Sequence, residues 1–384
     1  MFSLEYSEIQ EAIRDTARKY AQDNIAAGAS DRDKNEIFPT EILKELGELG
    51  FMGMMVSPDW GGSGLDTLSY SIAIEEISKA DASVAVVLSV QNSLVDWILE
   101  KFGSDFLKEN YLTKLATGEF IGAYALSEAE AGSDATQLKT FAEKVGDKWV
   151  INGTKSWITS GKNADVFVVF AQTDFEKKHR GITAFLVEKG TPGFDIGKKE
   201  EKMGLRSSDT TTLSFTNAEI PEANMIGNLG QGFYIAMEGL AGGRIGIASQ
   251  ALGIAQGAFD LAAKYAIDRK AFGKQLMEHQ MIQQKIAQMQ MKLSAARMLV
   301  HKVAWMKDAG IPHNQESSEA KLFASTIANE ICRDAVQIHG GYGYTREYQV
   351  ERMMRDAKVT EIYEGTSEIQ HIVIAREVLK KYSE

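Results

Sequence analysis

Cysteine is nearly missing from this chain: Cys332 is the only one among 384 residues, so an intramolecular disulfide is excluded and a reducing compartment is expected. Its neighbours Glu330, Ile331, Arg333 and Asp334 read as a helix with one wet and one dry side, which makes Cys332 a packing residue rather than a nucleophile. The six histidines (His179, His279, His301, His313, His339 and His371) include no i, i+4 pair, so a zinc site has little to draw on and no metal is expected. No G-x-G-x-x-G or G-x-x-x-x-G-K-[ST] run occurs, which argues against a Rossmann or P-loop nucleotide site. The G-x-S-x-G elbow of esterases is also absent. Basic charge is in deficit, with 42 Lys and Arg against 53 Asp and Glu and a net charge of −11. That balance argues against a general nucleic-acid binder. No apolar run suggests a membrane span, and the first ten residues carry Glu5 and Glu8 instead of a leader's apolar stretch. A cytoplasmic protein, with neither membrane nor nucleic acid as partner, is the expectation.

What is present is ordinary globular composition, 44% hydrophobic and 25% charged, over a length that accommodates two or three domains. Residues 1–119 read as an N-terminal α-helical domain. Ser7 to Gln10 opens one amphipathic helix, Pro39-Thr40-Glu41 opens another, and Val84 to Leu99 is apolar nearly all round, as a buried helix is. Residues 120–228 read as a middle antiparallel, barrel-like β domain. Val166 to Phe170, Ile182 to Val187 and Thr211 to Phe215 are strand-like, and Asn152-Gly153 is a hairpin signal. From 229 to 384 the helical period returns, in four stretches long enough for a four-helix bundle. The fold class is therefore mainly α with a small β domain. The first bundle helix holds Gly239, Gly242, Gly243 and Gly246, each costing about 1 kcal/mol against Ala, which implies a close approach of backbone or ligand.

Near the end stands Ile362-Tyr363-Glu364-Gly365-Thr366-Ser367-Glu368-Ile369-Gln370. Ser367 with Gln370 has capping-box spacing, and Gly365 breaks the chain ahead of it. Glu364 is either a solvated loop acid or a carboxylate aimed into a cleft, and these nine residues leave both open. Four further features stand upstream: Leu126-Ser127-Glu128-Ala129-Glu130-Ala131-Gly132-Ser133-Asp134; Asn152-Gly153-x-Lys155-x-Trp157-Ile158-Thr159; Arg269-Lys270-Ala271-Phe272-Gly273 with Gln280; and Gln337-Ile338-His339-Gly340-Gly341-Tyr342-Gly343. Each is a weak signal alone.

Together and in this order they resemble the acyl-CoA dehydrogenase family, most closely its short-chain, butyryl-CoA branch, over the whole chain. The resemblance implies FAD as cofactor, an acyl-CoA substrate, an electron-transfer flavoprotein as partner, and a homotetramer built as a dimer of dimers. It implies α,β-dehydrogenation of a short- or medium-chain acyl-CoA to a trans-2-enoyl-CoA, with Glu364 taking the α-proton and flavin N5 the β-hydride. It assigns to the flavin Tyr124, Leu126, Ser127, Gly132, Ser133, Trp157, Ile158, Thr159, Gln337, Gly340, Gly341, Thr366, Ser367 and Glu368. Arg269, Phe272 and Gln280 would reach the FAD of a neighbouring subunit. Ser133, Gly243, Arg244 and Gly365 would face the substrate, although Arg244 also reads as one half of a structural ion pair, and Ile158 and Phe272 as core. One branch places its carboxylate beside the bundle arginine; that position is Gly243 here, so the late position stands. Ala241 stands where short-chain relatives commonly have Asp, which puts a CoA-side contact in doubt. Near Ala85 there is no arginine of the kind that glutaryl-CoA specialists carry. An acyl-CoA oxidase of the same fold and a non-catalytic acyl-CoA- or FAD-binding helical protein are the alternatives.

Overall fold

The computed structural model describes residues 5–383. Helices come first. Ser7 and Gln10 form a reciprocal capping box for Glu8–Tyr20, Thr40–Glu48 follows, and Asp66 caps Thr67–Ala80 by accepting from the Ser69 N–H. A further short helix, Ala29–Asn35, lies in charged sequence that carries no apolar period. The helical run Ala82–Phe102 is 21 residues long and apolar enough to cross a membrane, contrary to the expectation that no stretch is; but 94% of its apolar 18-residue stretch is buried, so it is a core helix. A π-turn at Gln91–Asp96 interrupts its α-hydrogen bonding. Gln91 there donates to the Leu115 carbonyl and accepts from the Gly122 N–H, so it ties this helix to the first strand.

Eight strands make the middle sheet: β1 (Gly122–Ala125), β2 (Phe141–Val145), β3 (Lys148–Thr159), β4 (Val166–Gln172), β5 (Ile182–Glu188), β6 (Phe194–Lys199), β7 (Thr210–Pro221) and β8 (Met225–Ile226). Their order is β6-β7-β3-β2-β4-β5-β8, with β1 paired to β4. Most pairings are antiparallel, as expected, but β1 and β2 each run parallel to β4. Asn152-Gly153 is not a hairpin turn. It lies inside β3, where the register against β7 shifts between Ile151 and Gly153, and the β2–β3 turn is at Gly146-Asp147. Gly153 has φ +141, and a Cβ there would stand 2.6 Å from the Thr140 Cα, so glycine serves a bulge rather than a turn.

β4 explains its own unbroken apolar sequence. Val166, Val168 and Phe170 join the helical core, while Phe167, Val169 and Ala171 join a second core inside the sheet with Trp149, Phe185 and Phe215. The sheet thereby packs directly on the helices.

The last segment holds Gly232–Asp268, Gln280–Asp308, Asn314–His339 and Ser367–Ser383, plus the short Val350–Lys358, which periodicity missed. The glycines of the first helix mark close approaches. A Cβ at Gly246 would lie 2.3 Å from the Tyr70 hydroxyl, and one at Gly239 would lie 3.2 Å from Ile98.

Candidate active site

The segment between the last two helices turns sharply. Glu364 has φ +52 and Gly365 φ +92, two consecutive residues in left-handed backbone, and the first of them is not glycine. Three contacts hold the turn. Lys321, fully buried on Asn314–His339, donates from Nζ to the Gly365 carbonyl at 2.7 Å. Gln370 donates from Nε2 to the same carbonyl at 2.8 Å, and Ser367 reaches the Glu361 carbonyl at 3.5 Å. The helix is capped one residue earlier than the sequence suggests, because Thr366 Oγ1 accepts from the Ile369 N–H while Gln370 serves the turn instead of a capping box.

The result is a carboxylate aimed inward. Glu364 is half-buried as a residue, yet its Oε2 is shielded from solvent and makes no hydrogen bond. A buried acceptor without a partner is costly, and the cost appears in its acidity. Burial pushes the carboxyl up from 4.5 to about 7, opposed by the charges of Lys321 and then Arg244. Arg244 is 7% exposed; its Nη1 donates to Asn314 Oδ1 at 3.0 Å and to Ser318 Oγ at 3.4 Å, and its Nε has no partner. Among the described residues no carboxylate lies within ion-pair distance of Arg244, so the structural ion pair is not formed. Gly243 does not line the opening. A Cβ on it would fall 2.2 Å from Glu364 Oε2, so this carboxylate covers the glycine and occupies the place a side chain at 243 would take.

The opening itself is a cavity of about 460 Å³ between helix, sheet and turn. Val90, Leu94, Phe233, Met237 and Leu240 supply an apolar side; Leu126, Ser127, Gly132, Ser133, Asp134 and Thr136 supply a loop side; Arg244, Glu364, Gly365 and Thr366 close it. Tyr124, from β1, stands in the wall with its hydroxyl 3.4 Å from the Ala236 carbonyl.

A second bulge in β3, between Lys155 and Ile158, breaks the alternation that would otherwise bury Trp157. Trp157 has φ +64 and is 64% exposed, with Thr159 beside it on the cavity wall; Ile158 is at once lining and core, 2% exposed. Beneath this wall Lys155 is fully buried and donates to the Leu126 carbonyl at 3.0 Å and to Glu128 Oε1 at 2.7 Å. Glu128 in turn accepts from the N–H groups of Lys139 and Thr140, so the loop carrying Ser127 and Ser133 is braced from below. From sequence Lys155 is a named position of the second motif with no role assigned, and Lys321 is not singled out at all. A lysine reads as surface by default, and no local pattern marks the exceptions.

The remaining candidate residues lie elsewhere. Arg269, Gly340 and Gly341 line a separate, more open cleft of about 450 Å³ with Tyr265, Leu276, His339 and Tyr342. The Arg269 guanidinium sits 5.6 Å over the Tyr342 ring, and a Cβ at Gly340 or Gly341 would meet nothing. Phe272 is not core: it is 97% exposed at the tip of a small hairpin, with φ +52. Gln280 opens its helix exposed, and Gln337 and Glu368 are exposed too. Among the described residues no group of three or more His, Cys, Asp or Glu side chains is placed to hold a metal.

Comparison with known proteins gives a consistent picture. Family models for the N-terminal, middle and C-terminal domains of acyl-CoA dehydrogenase match residues 7–119, 123–218 and 230–379. A short-chain specific acyl-CoA dehydrogenase of Clostridium acetobutylicum is 48% identical over 371 residues, 97% of this chain and 98% of that one. The solved butyryl-CoA dehydrogenase of Megasphaera elsdenii superposes with a TM-score of 0.97 at 44% identity, covering 98% of this chain and all of that one. A chain from a structure reported for the electron transferring flavoprotein of Acidaminococcus fermentans gives the same TM-score at 45% identity, with 98% of this chain and 100% of that chain covered.

Proposed function

The chain belongs to the acyl-CoA dehydrogenase family of FAD-dependent oxidoreductases, and on that premise we propose that it dehydrogenates a short-chain acyl-CoA at Cα–Cβ with Glu364 as base. The observation that carries this reading is Glu364 itself, which lines the cavity with Arg244 and whose Oε2, shielded over Gly243, has no partner. An acid that is half ionised near neutral pH, with its acceptor atom unused, can remove a proton from a carbon acid.

The residues present fit a flavin. Trp157 is lifted out of the sheet by a bulge, and Ser127, Ser133 and Thr159 set hydroxyls around the same cavity. FAD, when bound there, supplies the two-electron acceptor for the Cβ hydrogen. Leu126, Ser127 and Ser133, on a loop fixed by the Lys155–Glu128 pair, and Trp157 and Thr159, on β3, would hold it. Glu364 takes the Cα proton as the Cβ hydrogen departs with its electron pair, and the carbon–carbon double bond forms between them. The backbone N–H of Glu364 is the donor proposed for the thioester oxygen, where negative charge develops. Arg244 and Lys321 keep enough positive charge nearby for the carboxylate to ionise at all. Val90, Leu94 and Leu240 would exclude water from the acyl chain.

The electron acceptor proposed is an electron-transfer flavoprotein, supported by the Acidaminococcus match. A homotetramer and a cytoplasmic location belong to the same proposal. That Arg269 lines a cleft with no residue in common with the Glu364 cavity supports a cofactor shared between copies. The test is anaerobic mixing of the yellow holoenzyme with butyryl-CoA. Flavin bleaching followed by rapid reoxidation with an electron-transfer flavoprotein, and slow reoxidation with O₂, is the expected result. Fast turnover on O₂ alone means an oxidase, and an unbleached flavin across a panel of saturated acyl-CoAs means a binding protein.

A further inference from the structure

Lys321 touches neither substrate nor cofactor in the chemistry above and enters it only as a nearby charge, yet it is fully buried and reaches the turn that carries the base. We propose that Lys321 is a positioning residue for Glu364, which locks the left-handed turn through the Gly365 carbonyl and sets the pH at which the carboxylate becomes available. This rests on Glu364 being the base.

The geometry makes two demands that one ammonium meets. The turn needs a donor for the Gly365 carbonyl, because Glu364, a non-glycine in left-handed backbone, is strained and persists only where its surroundings over-determine it. Lys321 Nζ at 2.7 Å and Gln370 Nε2 at 2.8 Å converge on that one oxygen from two different helices. The carboxylate needs a counter-charge that does not consume its lone pairs. Lys321 gives its hydrogen bond to the backbone, forms no ion pair within 4.0 Å among the described residues, and leaves Oε2 unpartnered. A direct salt bridge would stabilise the anion but cover the atom that must accept a proton.

The surroundings leave little else for this role. Around Glu364 stand Arg244 from the glycine helix, Tyr70 and Tyr124 from the N-terminal helices and β1, and Tyr363 next to it, all three phenols pushed up by burial and then by the Glu364 charge. Glu361, Glu368 and Arg244 act on Lys321 itself, and Arg376 acts on Arg244. Burial brings the Lys321 ammonium down to about 8, with Glu364 the largest opposing influence, so the two groups exchange support across the turn.

The experiment follows the Glu364 carboxyl directly. Its infrared carbonyl band, identified as the one lost in Glu364→Gln holoenzyme, is titrated in wild type, Lys321→Met and Lys321→Arg. Loss of the ammonium is expected to move the midpoint up by about 1 pH unit, and Arg to bring it back toward wild type. The rising limb of kcat/KM against pH is expected to shift equally, while a merely structural role would lower amplitude or melting temperature without moving either midpoint. A Lys321→Met midpoint at the wild-type value overturns the proposal. If that variant does not fold, the Lys321 Nζ resonance is titrated in wild type and Glu364→Gln. Its midpoint is expected to fall when the carboxylate is removed, and an unchanged midpoint overturns the coupling. Full turnover in Glu364→Gln would instead sink the reading of the base, whichever way Lys321 titrates.

Discussion

Glu364 combines two features that folding alone does not favour, left-handed backbone and a buried carboxyl oxygen without a donor. Both follow from the turn between helices, and both leave a measurable trace. A base must be ionised to act, so kcat/KM is expected to rise with pH through about 7 and level off above it. A flat profile from about pH 5 to pH 9 would contradict the assignment of Glu364. Stability has the opposite sign. A carboxyl whose folded midpoint lies above its unfolded one contributes stability that is complete below the unfolded midpoint near 4.5 and lost as pH rises through about 7. Glu364→Gln should therefore melt above wild type at alkaline pH and level with it in acid, and scanning calorimetry at both pH values checks this. From sequence the residue was legible as a candidate, through its place in Tyr-Glu-Gly-Thr-Ser and the resemblance. Its burial was not, because Lys321 and Arg244 come from other helices.

At the level of elements, the glycine helix Gly232–Asp268 is cut to fit its neighbours. Gly243→Ala would push a methyl to within 2.2 Å of Glu364 Oε2. The far end of a glutamate can swing aside, so the fold should survive while the carboxylate leaves its working position. A fall in turnover of about 10²-fold with little change in melting temperature is expected, read from steady-state rates and a thermal scan. Undiminished turnover would mean that the carboxylate acts from another position. This helix was partly legible: the run of glycines implied a close approach, and Gly243 and Gly246 do meet a carboxylate and a tyrosine hydroxyl. The strand β3 was less so. Asn-Gly is a strong turn signal by local conformation, but pairing with β2 on one side and β7 on the other outweighs it, and the same residues become a bulge. The Trp157 bulge has no local signature at all, although it turns an otherwise buried strand position toward the cavity.

Across the whole molecule, helices, sheet and bundle close on one cavity, while Arg269, Gly340 and Gly341 gather at a second cleft beside the exposed tip of Phe272. A phenylalanine 97% exposed at the end of a hairpin is poorly placed in a lone chain. With the proposed sharing of cofactor between copies, Phe272→Asp is expected to shrink the assembly in sedimentation and lower FAD content together, with the secondary structure unchanged. A variant of wild-type size and full FAD content would count against sharing. The order helices, sheet, helices was readable from hydrophobic period alone, and long-range features such as the parallel pairing of β1 with β4 were not, since they join segments about 40 residues apart. What unites the molecule is the claim that Glu364 removes the α-proton, and its most direct test is rapid mixing of Glu364→Gln holoenzyme with butyryl-CoA. The variant is expected to stay yellow and bind the thioester, with flavin reduction slowed at least about 10²-fold; bleaching at the wild-type rate would contradict Glu364 as the base.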